Sequence, residues 1–475
     1  RVFAKPHPLA AASLIDLGCD YSRQGNRAEA VAHFEKALTI QRQVNAGPQV
    51  TTAATLNLIG FEYYRGGDYP KALDYYRQLL TMQRALHTGP SAQDARTLGT
   101  IGDLHRRLRD PDKALAAHRE ALRMLRKIHD RPHPDVARSL VDIGYICADR
   151  EEYKEAVHHY REAVAIYEQV YKKPHPDTAF ALGLEGWAHW RQEEYEAALQ
   201  CYLGKLSMQR RLVRAPHPGI ADTLSTLGRL YARRHDHFLA LTYQRQALAL
   251  REQLYSGPHA AIARSLHELG VVCRDMGRFE QAIEYLGRER DALRRLHKGP
   301  HPDVAEALGD LGSAFEGAGR NKQALASLGQ ALEMQRQLDD EPGADVAYRL
   351  IMLGSVYSHL GDQAKVDGHF REALAILRRA YRKPHPDLAR LLSVLATASE
   401  KAGRYTRALK YEQEALALRR QLYGGPHLAV VSSLASLGSI YGQLGDAEKA
   451  EDYSRQALAA MRLCSRRPSG THVSA

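Results

Sequence analysis

Histidine is the residue type in this sequence whose number and placement could support chemistry at a metal ion. Eight histidines directly follow a proline: His7, His133, His175, His217, His259, His301, His385 and His427. Successive members of this set are at least 42 residues apart. Zinc needs ligand atoms at about 2.0–2.1 Å from the ion, so a shell shared between such distant residues is not expected. We therefore interpret these histidines as helix-entry residues and predict no metal.

Other catalytic signatures are equally weak. His158-His159 and His235-x-His237 lack the His-Glu-x-x-His spacing that places two ligands on one helix face. The segment from Gly312 to Gly317 is similar to the start of a phosphate loop, but Ala318 stands where that loop has lysine. No Gly-x-Ser-x-Gly motif, catalytic carboxylate pair or Cys–His arrangement stands out. The sequence predicts a non-catalytic protein without a cofactor.

Prolines recur at an unbroken interval of 42 residues. They are Pro6, Pro48, Pro90, Pro132, Pro174, Pro216, Pro258, Pro300, Pro342, Pro384, Pro426 and Pro468. A fixed period of roughly 20 to 50 residues is typical of a solenoid, in which each unit packs on its neighbours. We assign residues 1–5 to the end of a preceding repeat, 6–467 to eleven 42-residue repeats and 468–475 to a polar C-terminal tail. The start at Arg1 leads us to expect a chain cut mid-repeat from a longer protein.

Composition limits the partners and the environment. The chain has 66 Lys and Arg against 55 Asp and Glu, a net charge of +11, which attracts acidic partners without identifying one. Its five cysteines form no Cys-x-x-Cys pair, which is typical of reduced thiols, and we predict a cytoplasmic location. No apolar run reaches the length of about 18 residues that a membrane span needs, so no membrane insertion is predicted.

Apolar and small residues recur at helical spacing within each unit, numbered here from its proline as position 1. Position 9 is leucine in all eleven units, and positions 6 and 13 are alanine and glycine in ten units each. Positions 6, 9, 12, 13 and 16 therefore form one face of a first helix. Because glycine inside a helix costs about 1 kcal/mol, its recurrence at position 13 predicts close approach of a second helix.

The helix ends are marked as well. Position 20 is glycine in seven units, as a helix C-terminus favours. Position 21 carries a side chain able to cap the second helix in six units: Asn26, Asp68, Asp110, Asp236, Asp362 and Asp446. We therefore predict two helices per unit and an all-α fold.

These residues resemble a known repeat family. Leu17-Gly18 with Tyr21, followed by Ala30 with Phe34, is similar to the Leu-Gly-x-x-Tyr and Ala-x-x-x-Phe pattern of tetratricopeptide repeats. The usual closing proline is missing, and the period grows from about 34 residues to 42. With the His-Pro-Asp-Val-Ala entry, the units resemble those of kinesin light chains and nephrocystin-type proteins. The resemblance implies a right-handed superhelical solenoid of eleven helix–turn–helix repeats, a scaffold or adaptor that binds peptides in a concave groove.

The resemblance also implies which residues line that groove, namely those at positions 7, 10, 14, 17 and 18 of the first helices. We predict as peptide-groove residues Arg23, Asn57, Phe61, Tyr64, Arg65, Arg96, Arg107, Arg138, Tyr145, Trp187, Arg191, Arg233 and Arg264. Phe180, Trp190, Tyr348, Arg106, Arg274 and Arg390 occupy the same positions. Arginine pairs well with carboxylates and aromatic rings give contact area at low entropic cost, so the predicted partner is an acidic peptide or protein segment. A solvated, salt-bridged face is the alternative.

Glu185 departs from the pattern, because position 12 is apolar in every other unit. It lies beside Trp187 and Trp190, the only tryptophans of the chain. A buried carboxylate without a partner is costly, so this unit either repacks locally or forms a kink or pocket. Under local repacking, Glu185→Leu should raise stability.

Nine arginines at position 37 form a second stripe, which we place on the outside of the second helices. They are Arg42, Arg84, Arg126, Arg210, Arg294, Arg336, Arg378, Arg420 and Arg462. A solvated face and a stripe for RNA or another anionic polymer are the alternatives, and nucleic acid is the minor one because stacking motifs are lacking. A further alternative function is a ligand-sensing or regulatory arm of a larger protein with an upstream nucleotide-hydrolysing domain. The sequence leaves the oligomeric state open.

Overall fold

A computed structural model describes residues 7–465 of the chain, except residues 88 and 340. The repeat end assigned to residues 1–5 and the tail assigned to 468–475 lie outside the described residues. Within the described part there are 22 α-helices and no strand. The chain divides into two compact units, Arg1–Asp236 and His237–Ala475. The even 42-residue period gives no sign of this division.

The helices of the first unit are α1 (Pro8–Arg23), α2 (Arg27–Val44), α3 (Val50–Gly66), α4 (Tyr69–Leu86), α5 (Ala92–Arg107), α6 (Pro111–Ile128), α7 (Pro134–Asp149), α8 (Tyr153–Tyr171), α9 (Pro176–Arg191), α10 (Tyr195–Leu212) and α11 (Pro218–Arg233). Those of the second unit are α12 (His237–Leu254), α13 (Ala260–Asp275), α14 (Phe279–Leu296), α15 (Pro302–Gly317), α16 (Asn321–Leu338), α17 (Ala344–His359), α18 (Gln363–Ala380), α19 (Pro386–Lys401), α20 (Tyr405–Tyr423), α21 (Leu428–Gln443) and α22 (Ala447–Ser465). Odd-numbered helices begin 42 residues apart, and so do even-numbered ones. The prediction of an all-α array with two helices per repeat is confirmed.

Consecutive helices pack on each other within each unit. In the first unit the pairs run from α1 on α2 to α9 on α10, and in the second from α13 on α14 to α21 on α22. The second helix of one repeat also packs on the first helix of the next, as α8 does on α9. Position-9 leucines such as Leu56, Leu140 and Leu350 are fully buried in these seams. Each repeat thus completes its core on its neighbours, as a solenoid does.

Glycine at position 13 makes room for a large side chain of the second helix, as the sequence predicts. A Cβ atom on Gly144 would lie closer than 3.0 Å to the ring of Tyr160, and one on Gly354 would meet Phe370 in the same way. Both rings are buried. The helix pair therefore interlocks through a ring that covers a glycine.

The histidines of the proline-histidine entries cap the first helices. The Nδ1 atom of His133 accepts a hydrogen bond of 3.2 Å from the backbone N–H of Asp135, and all eight such histidines make the equivalent bond. The bond satisfies an N–H that the helix start leaves free. Several of these rings also stack on an aromatic residue four positions earlier, such as His175 on Tyr171 at 3.4 Å. Their predicted helix-entry role thus has a specific geometry.

The predicted caps of the second helices are present in most cases. Asp68, Asp110, Asp362 and Asp446 each accept a hydrogen bond of 3.1–3.3 Å from the N–H three residues on. The prediction is wrong for Asn26, which makes no side-chain cap bond.

Position 20 adopts a left-handed backbone whether or not it is glycine. The seven predicted glycines have φ between 70° and 81°. In the other four repeats Arg109, Glu151, Glu193 and His235 have φ of 59° to 62°. A residue with a Cβ atom pays about 1–2 kcal/mol for this conformation. These four turns therefore carry strain that the sequence shows only by comparison with the other repeats.

We expect Glu193→Gly to stabilise the first unit by about 0.5–1 kcal/mol, because relief of the left-handed strain exceeds the entropic cost of glycine. The matched control is Gly67→Ala, which introduces the strain and should cost about 1 kcal/mol. Urea unfolding followed by circular dichroism measures both. An unchanged or lower free energy of unfolding for Glu193→Gly would contradict the strain.

Two sequence-based exclusions can be compared with the described residues. None of the described helices combines the length and apolar character that crossing a membrane requires. All five cysteines are free. No disulfide therefore contributes to the stability of the helix pairs.

Candidate functional site

The first helices of the first unit expose arginine and aromatic side chains along one surface. Phe61 and Phe180 are 47 % and 53 % exposed, which is unusual because phenylalanine is ordinarily buried. Arginines of the same helices are exposed beside them. We call this surface the arginine–aromatic face, and it consists of Phe61, Tyr64, Arg65, Arg106, Arg107, Tyr145, Phe180, Trp187, Trp190, Arg191 and Arg229.

Contacts across neighbouring repeats connect the first half of this face. Arg65 lies over the ring of Phe61 on its own helix, with 5.7 Å between guanidinium carbon and ring centroid. Arg107 reaches back from α5 to α3, where its Nε donates to the hydroxyl of Tyr64 at 3.2 Å. Arg106 points the other way and lies 5.9 Å from the ring centroid of Tyr145 on α7. The two arginines thus link three successive first helices.

The second half of the face continues on α9 and α11. The rings of Tyr145 and Phe180 are 6.4 Å apart between centroids. On α9, Arg191 lies 5.6 Å from the ring of Trp187. Arg229 of α11 lies 4.9 Å from the ring of Trp190. The face is therefore continuous from α3 to α11.

Two tyrosines of the second helices complete the face, and the groove positions alone do not reveal them. Tyr69 accepts a hydrogen bond of 3.2 Å from Nη1 of Arg107. Tyr153 lies 4.9 Å from Arg191 and packs its ring edge-on against Trp187. In both cases the tyrosine opens a second helix and precedes the arginine by 38 residues. This spacing is the signal that could have predicted the contact.

The remaining predicted groove residues are not part of these contacts. Arg23 pairs with Asp20 of its own helix at 2.7 Å. Arg96 and Arg138 line a cavity between α5 and α7. The others are exposed on their helices at the predicted positions: Asn57, Arg233 and Arg264. Arg264 belongs to α13 in the second unit, so it is separate from the face described here.

The second unit has a different character at the same helical positions. Glu316 accepts a hydrogen bond of 2.7 Å from Ser355 and lies 3.2 Å from His359. Glu400 accepts one of 3.0 Å from Ser439. Aromatic–arginine contact persists at Tyr348, which Arg390 approaches to 5.9 Å. Acidic and hydroxyl groups thus replace most of the arginine and aromatic residues of the first unit.

A partly buried ion-pair cluster lies at a groove position of the second unit, on α13. His267 is 3.4 Å from the buried Glu289 and 3.6 Å from Asp310, which also receives Nη1 of Arg274 at 2.9 Å. Pairing with Glu289 raises the pKa of His267 to about 9, with Asp310 and Glu268 adding to the effect against the opposing effect of burial. The imidazole is therefore held in its charged form.

We expect this cluster to make stability depend on pH. A histidine whose pKa rises on folding from about 6.5 to about 9 contributes stability that is complete below pH 6.5 and disappears as the pH rises through 9. A rise of the pKa from about 6.5 to about 9 corresponds to a contribution of about 3 kcal/mol. Urea unfolding of wild type and His267→Gln at pH 6.5 and 9.5 measures it as a difference between the two proteins. Parallel pH dependences would contradict the ion pair.

Glu185 is buried but has a partner, which the sequence did not reveal. The side chain is 6 % exposed, and its Oε1 accepts a hydrogen bond of 2.9 Å from Nε of Arg161 on α8. His189, one turn along α9, lies 3.7 Å from the same oxygen. Burial alone would raise the pKa of Glu185, but His189 and Arg161 outweigh it and hold the pKa below its usual range. Helix α9 runs without interruption from Pro176 to Arg191, through this residue.

The outer arginine stripe forms a ladder between successive second helices. Arg84 pairs with Glu120 at 2.5 Å, and Arg336 pairs with Glu372 at 2.6 Å, in both cases 36 residues on. At one step the charges are exchanged, since Glu252 pairs with Arg288 at 2.7 Å. Exposed pairs of this kind contribute about 0–1 kcal/mol each. Their carboxylates neutralise the arginines locally, which favours the solvated-face interpretation.

Several groups of histidines and other side chains bring potential metal ligands together. His129, His133 and Asp135 have ligand atoms within 4.8 Å of one another, as do Glu185, His189 and Cys201. In the first group, Nδ1 of His133 already caps α7, and its ring stacks on that of His129 at 3.5 Å. In the second group, the guanidinium of Arg161 already bonds Glu185. At least one donor of each of these two groups is therefore engaged within the protein.

Comparison with known proteins agrees with this architecture. A model described as "Tetratricopeptide repeat" matches residues 51–127, 128–203, 219–294, 267–337, 345–421 and 387–462, and a second of the same description matches 10–45. These matches confirm the repeat type predicted from the sequence. No curated protein matches the chain significantly.

Several solved structures are similar to the chain at low sequence identity. The kinesin light chain nearly identical TPR-like repeats of Podosopora anserina are 20 % identical, covering 44 % of this chain and 99 % of theirs, with a TM-score of 0.41. BtubC (BKLC) of P. vanneervenii is 19 % identical over 51 % of this chain and 94 % of its own, with a TM-score of 0.40. The apo form of RapI is 13 % identical, covering 78 % of this chain and 98 % of its own, with a TM-score of 0.53.

Proposed function

The chain belongs to the tetratricopeptide repeat family, whose repeats form protein-interaction scaffolds, and from this premise we propose that it binds acidic peptide segments on the arginine–aromatic face. The protein acts without catalysis, as an adaptor or scaffold. Its partner is an extended or helical segment of another protein that carries carboxylates.

One observation carries this proposal, the continuous run of arginines on aromatic rings from α3 to α11. The ring contacts hold the guanidinium carbons of Arg107, Arg191 and Arg229 at 4.9–5.2 Å from a ring centroid, and two N–H groups of Arg107 are also bonded to Tyr64 and Tyr69. A guanidinium held this way presents its N–H donors in the fork that suits a carboxylate. Because less side-chain entropy is lost on binding, such preorganised arginines favour affinity.

The charge distribution supports an acidic partner over an anionic polymer. The outer arginines are neutralised by carboxylates or engaged by glutamines of the next repeat. On the face, Arg107 and Arg191 contact aromatic rings, whereas Arg65 contacts a ring and also lies 3.6 Å from Glu62, and Arg106 lies 3.4 Å from Asp149. Arginine beside aromatic contact area, as at Arg107 and Arg191, is a combination enriched in protein interfaces.

We expect Arg107→Glu with Arg191→Glu to weaken the binding of acidic peptides by about 100-fold, since two attractive contacts become repulsive. The probes are peptides selected against the wild-type chain from a random library, with affinities measured by calorimetry. The control with the same charge change is Arg123→Glu with Arg211→Glu, two exposed arginines of the second helices α6 and α10. Equal loss in both double variants would show a general charge effect and contradict the proposed face.

A further inference from the structure

A small cavity opens on the groove side between α5 and α7, with α6 beneath it. Its volume is about 160 Å³. Its wall and floor include Gly99, Asp103, His118, Ser139 and Asp142, and Arg96 and Arg138 line it as well. Pockets for drug-sized ligands measure about 300–1,000 Å³, so this one has room for a single amino-acid side chain.

Polar groups without partners line this cavity. His118 is 1 % exposed and Ser139 is 6 % exposed, and neither Nε2 of the first nor Oγ of the second has a hydrogen-bond partner in the described chain, although Nε2 of His118 lies 3.7 Å from Oδ1 of Asp103. Leaving buried polar atoms unbonded costs about 1–3 kcal/mol each. Three carboxylates line the same space, those of Asp103, Asp142 and Asp135, and the last of these recurs at position 4 in other repeats. Apart from Arg96 and Arg138, the lining therefore offers mostly acceptors to a guest that brings donors.

The equivalent space in two other repeats is filled by a basic side chain of the protein itself. Position 10 is glycine at Gly99, Gly183 and Gly309. The ammonium nitrogen of Lys205 lies 2.7 Å from where a Cβ atom of Gly183 would be. The guanidinium of Arg349 occupies the corresponding place against Gly309. At Gly99 there is no atom within 4 Å of that place among the described residues outside its own turn of helix.

The residues that fill the other two sites are replaced by small ones at Gly99. Lys205 stands at position 32, where this repeat has Ala121. Arg349 stands at position 8, where the following repeat has Ser139. Both Ala121 and Ser139 line the cavity. The cavity thus exists because neither internal cation is present.

The two carboxylates occur where the internal cation is missing. Asp103 is at position 14 and Asp142 at position 11 of the next repeat, and the other two sites have different residue types there: Trp187 and Thr226 at Gly183, Ser313 and Met352 at Gly309. Burial raises the pKa of Asp142 to about 6, with Asp103 adding to the effect and His118, Arg138 and Arg106 opposing it. Above that pH the partly buried carboxylate is charged, and a further cation beside it is favourable.

We propose that the Gly99 cavity binds the basic side chain of a lysine or arginine of the peptide ligand, between Asp103 and Asp142. This inference rests on the proposed function, because it names one residue of the ligand bound on the first helices. Arg96 and Arg138, both exposed, then meet acidic residues that flank the basic one. The ligand is an acidic segment with a single basic anchor.

Filling the cavity from within tests this without any ligand. Lys205 extends over Gly183, and Ala121→Lys should extend over Gly99 in the same way and place its ammonium group between Asp103 and Asp142. Ala121→Met adds a side chain of similar length without a charge. We expect the lysine variant to melt about 3 °C above the methionine variant. The difference should vanish when Asp103→Asn and Asp142→Asn are added. If either variant fails to fold, Ser139→Arg against Ser139→Met makes the same comparison. Equal melting temperatures in the wild-type background would overturn the proposal.

Peptide binding tests it directly. The probes are synthetic nonapeptides of glutamate and tyrosine whose central residue is lysine, arginine or norleucine. Wild type should bind the lysine and arginine peptides about tenfold more tightly than the norleucine peptide. That ratio should fall to about one in Asp103→Asn/Asp142→Asn and in Ala121→Lys. A ratio of one on wild type overturns the anchor while leaving the proposed face intact. If none of the peptides binds, the proposed function fails, and the melting comparison alone decides on the cavity.

Discussion

Replacing Gly144 by alanine is expected to destabilise the first unit by about 3 kcal/mol. The added Cβ would lie closer than 3.0 Å to the ring of Tyr160, which is fully buried. Either the ring leaves its rotamer or α7 and α8 separate, and both cost packing energy. Urea unfolding of the wild type and the variant measures the loss.

The matched control is Gly329→Ala on α16. No atom lies within 4 Å of the place its Cβ atom would take among the described residues beyond its own helical turn. Alanine is the better helix former, so this change should stabilise by about 1 kcal/mol. If both variants lose stability alike, the loss is a general effect of replacing glycine by alanine in these helices, and the interlocking ring does not explain it.

Arg161→Ala is expected to cost about 3 kcal/mol, because it leaves the buried carboxylate of Glu185 without its main donor. Arg161 is itself largely exposed, so removing it creates little cavity and the loss reports on the pair. Unfolding by urea at pH 7 measures it. His189, which lies 3.7 Å from Glu185, remains in the variant and limits the loss of stability.

Removing the carboxylate as well should recover the loss. Glu185→Leu restores the residue type that position 12 has in most other repeats, and it should be neutral or stabilising by about 1 kcal/mol. The double variant Arg161→Ala/Glu185→Leu should then be close to Glu185→Leu alone. If Arg161→Ala costs as much in the leucine background as in the wild type, the arginine stabilises the fold without Glu185.

The sequence predicted the repeat because packing residues obey a local period. Leucine at position 9 and glycine at position 13 serve the same contact in each unit, so comparing the copies shows their role. The helix caps follow from residue types for the same reason. The strain at Glu193 also follows, once the glycines in the other copies are compared with it.

Contacts between repeats were less accessible from the sequence. The groove residues Arg107 and Arg191 could be named, but the tyrosines that hold them, Tyr69 and Tyr153, are on second helices 38 residues earlier. The pairing of Glu185 with Arg161 likewise joins two helices. Contacts of this kind depend on the rotation of one helix pair against the next. Residue types alone do not determine that rotation. A cavity is harder to predict from the sequence than a contact, because the Gly99 cavity exists where the side chains are small.

The arginine–aromatic face of the first unit is the proposed binding surface for acidic peptides. Trp187 and Trp190 are the only tryptophans of the chain, and both lie on this face. The direct measurement is intrinsic tryptophan emission during titration with a tryptophan-free acidic peptide, alongside calorimetry on the same samples. We predict a saturable change in emission with the calorimetric Kd, lost in Arg107→Glu/Arg191→Glu. Calorimetric binding with unchanged emission would place the peptide elsewhere and contradict the account.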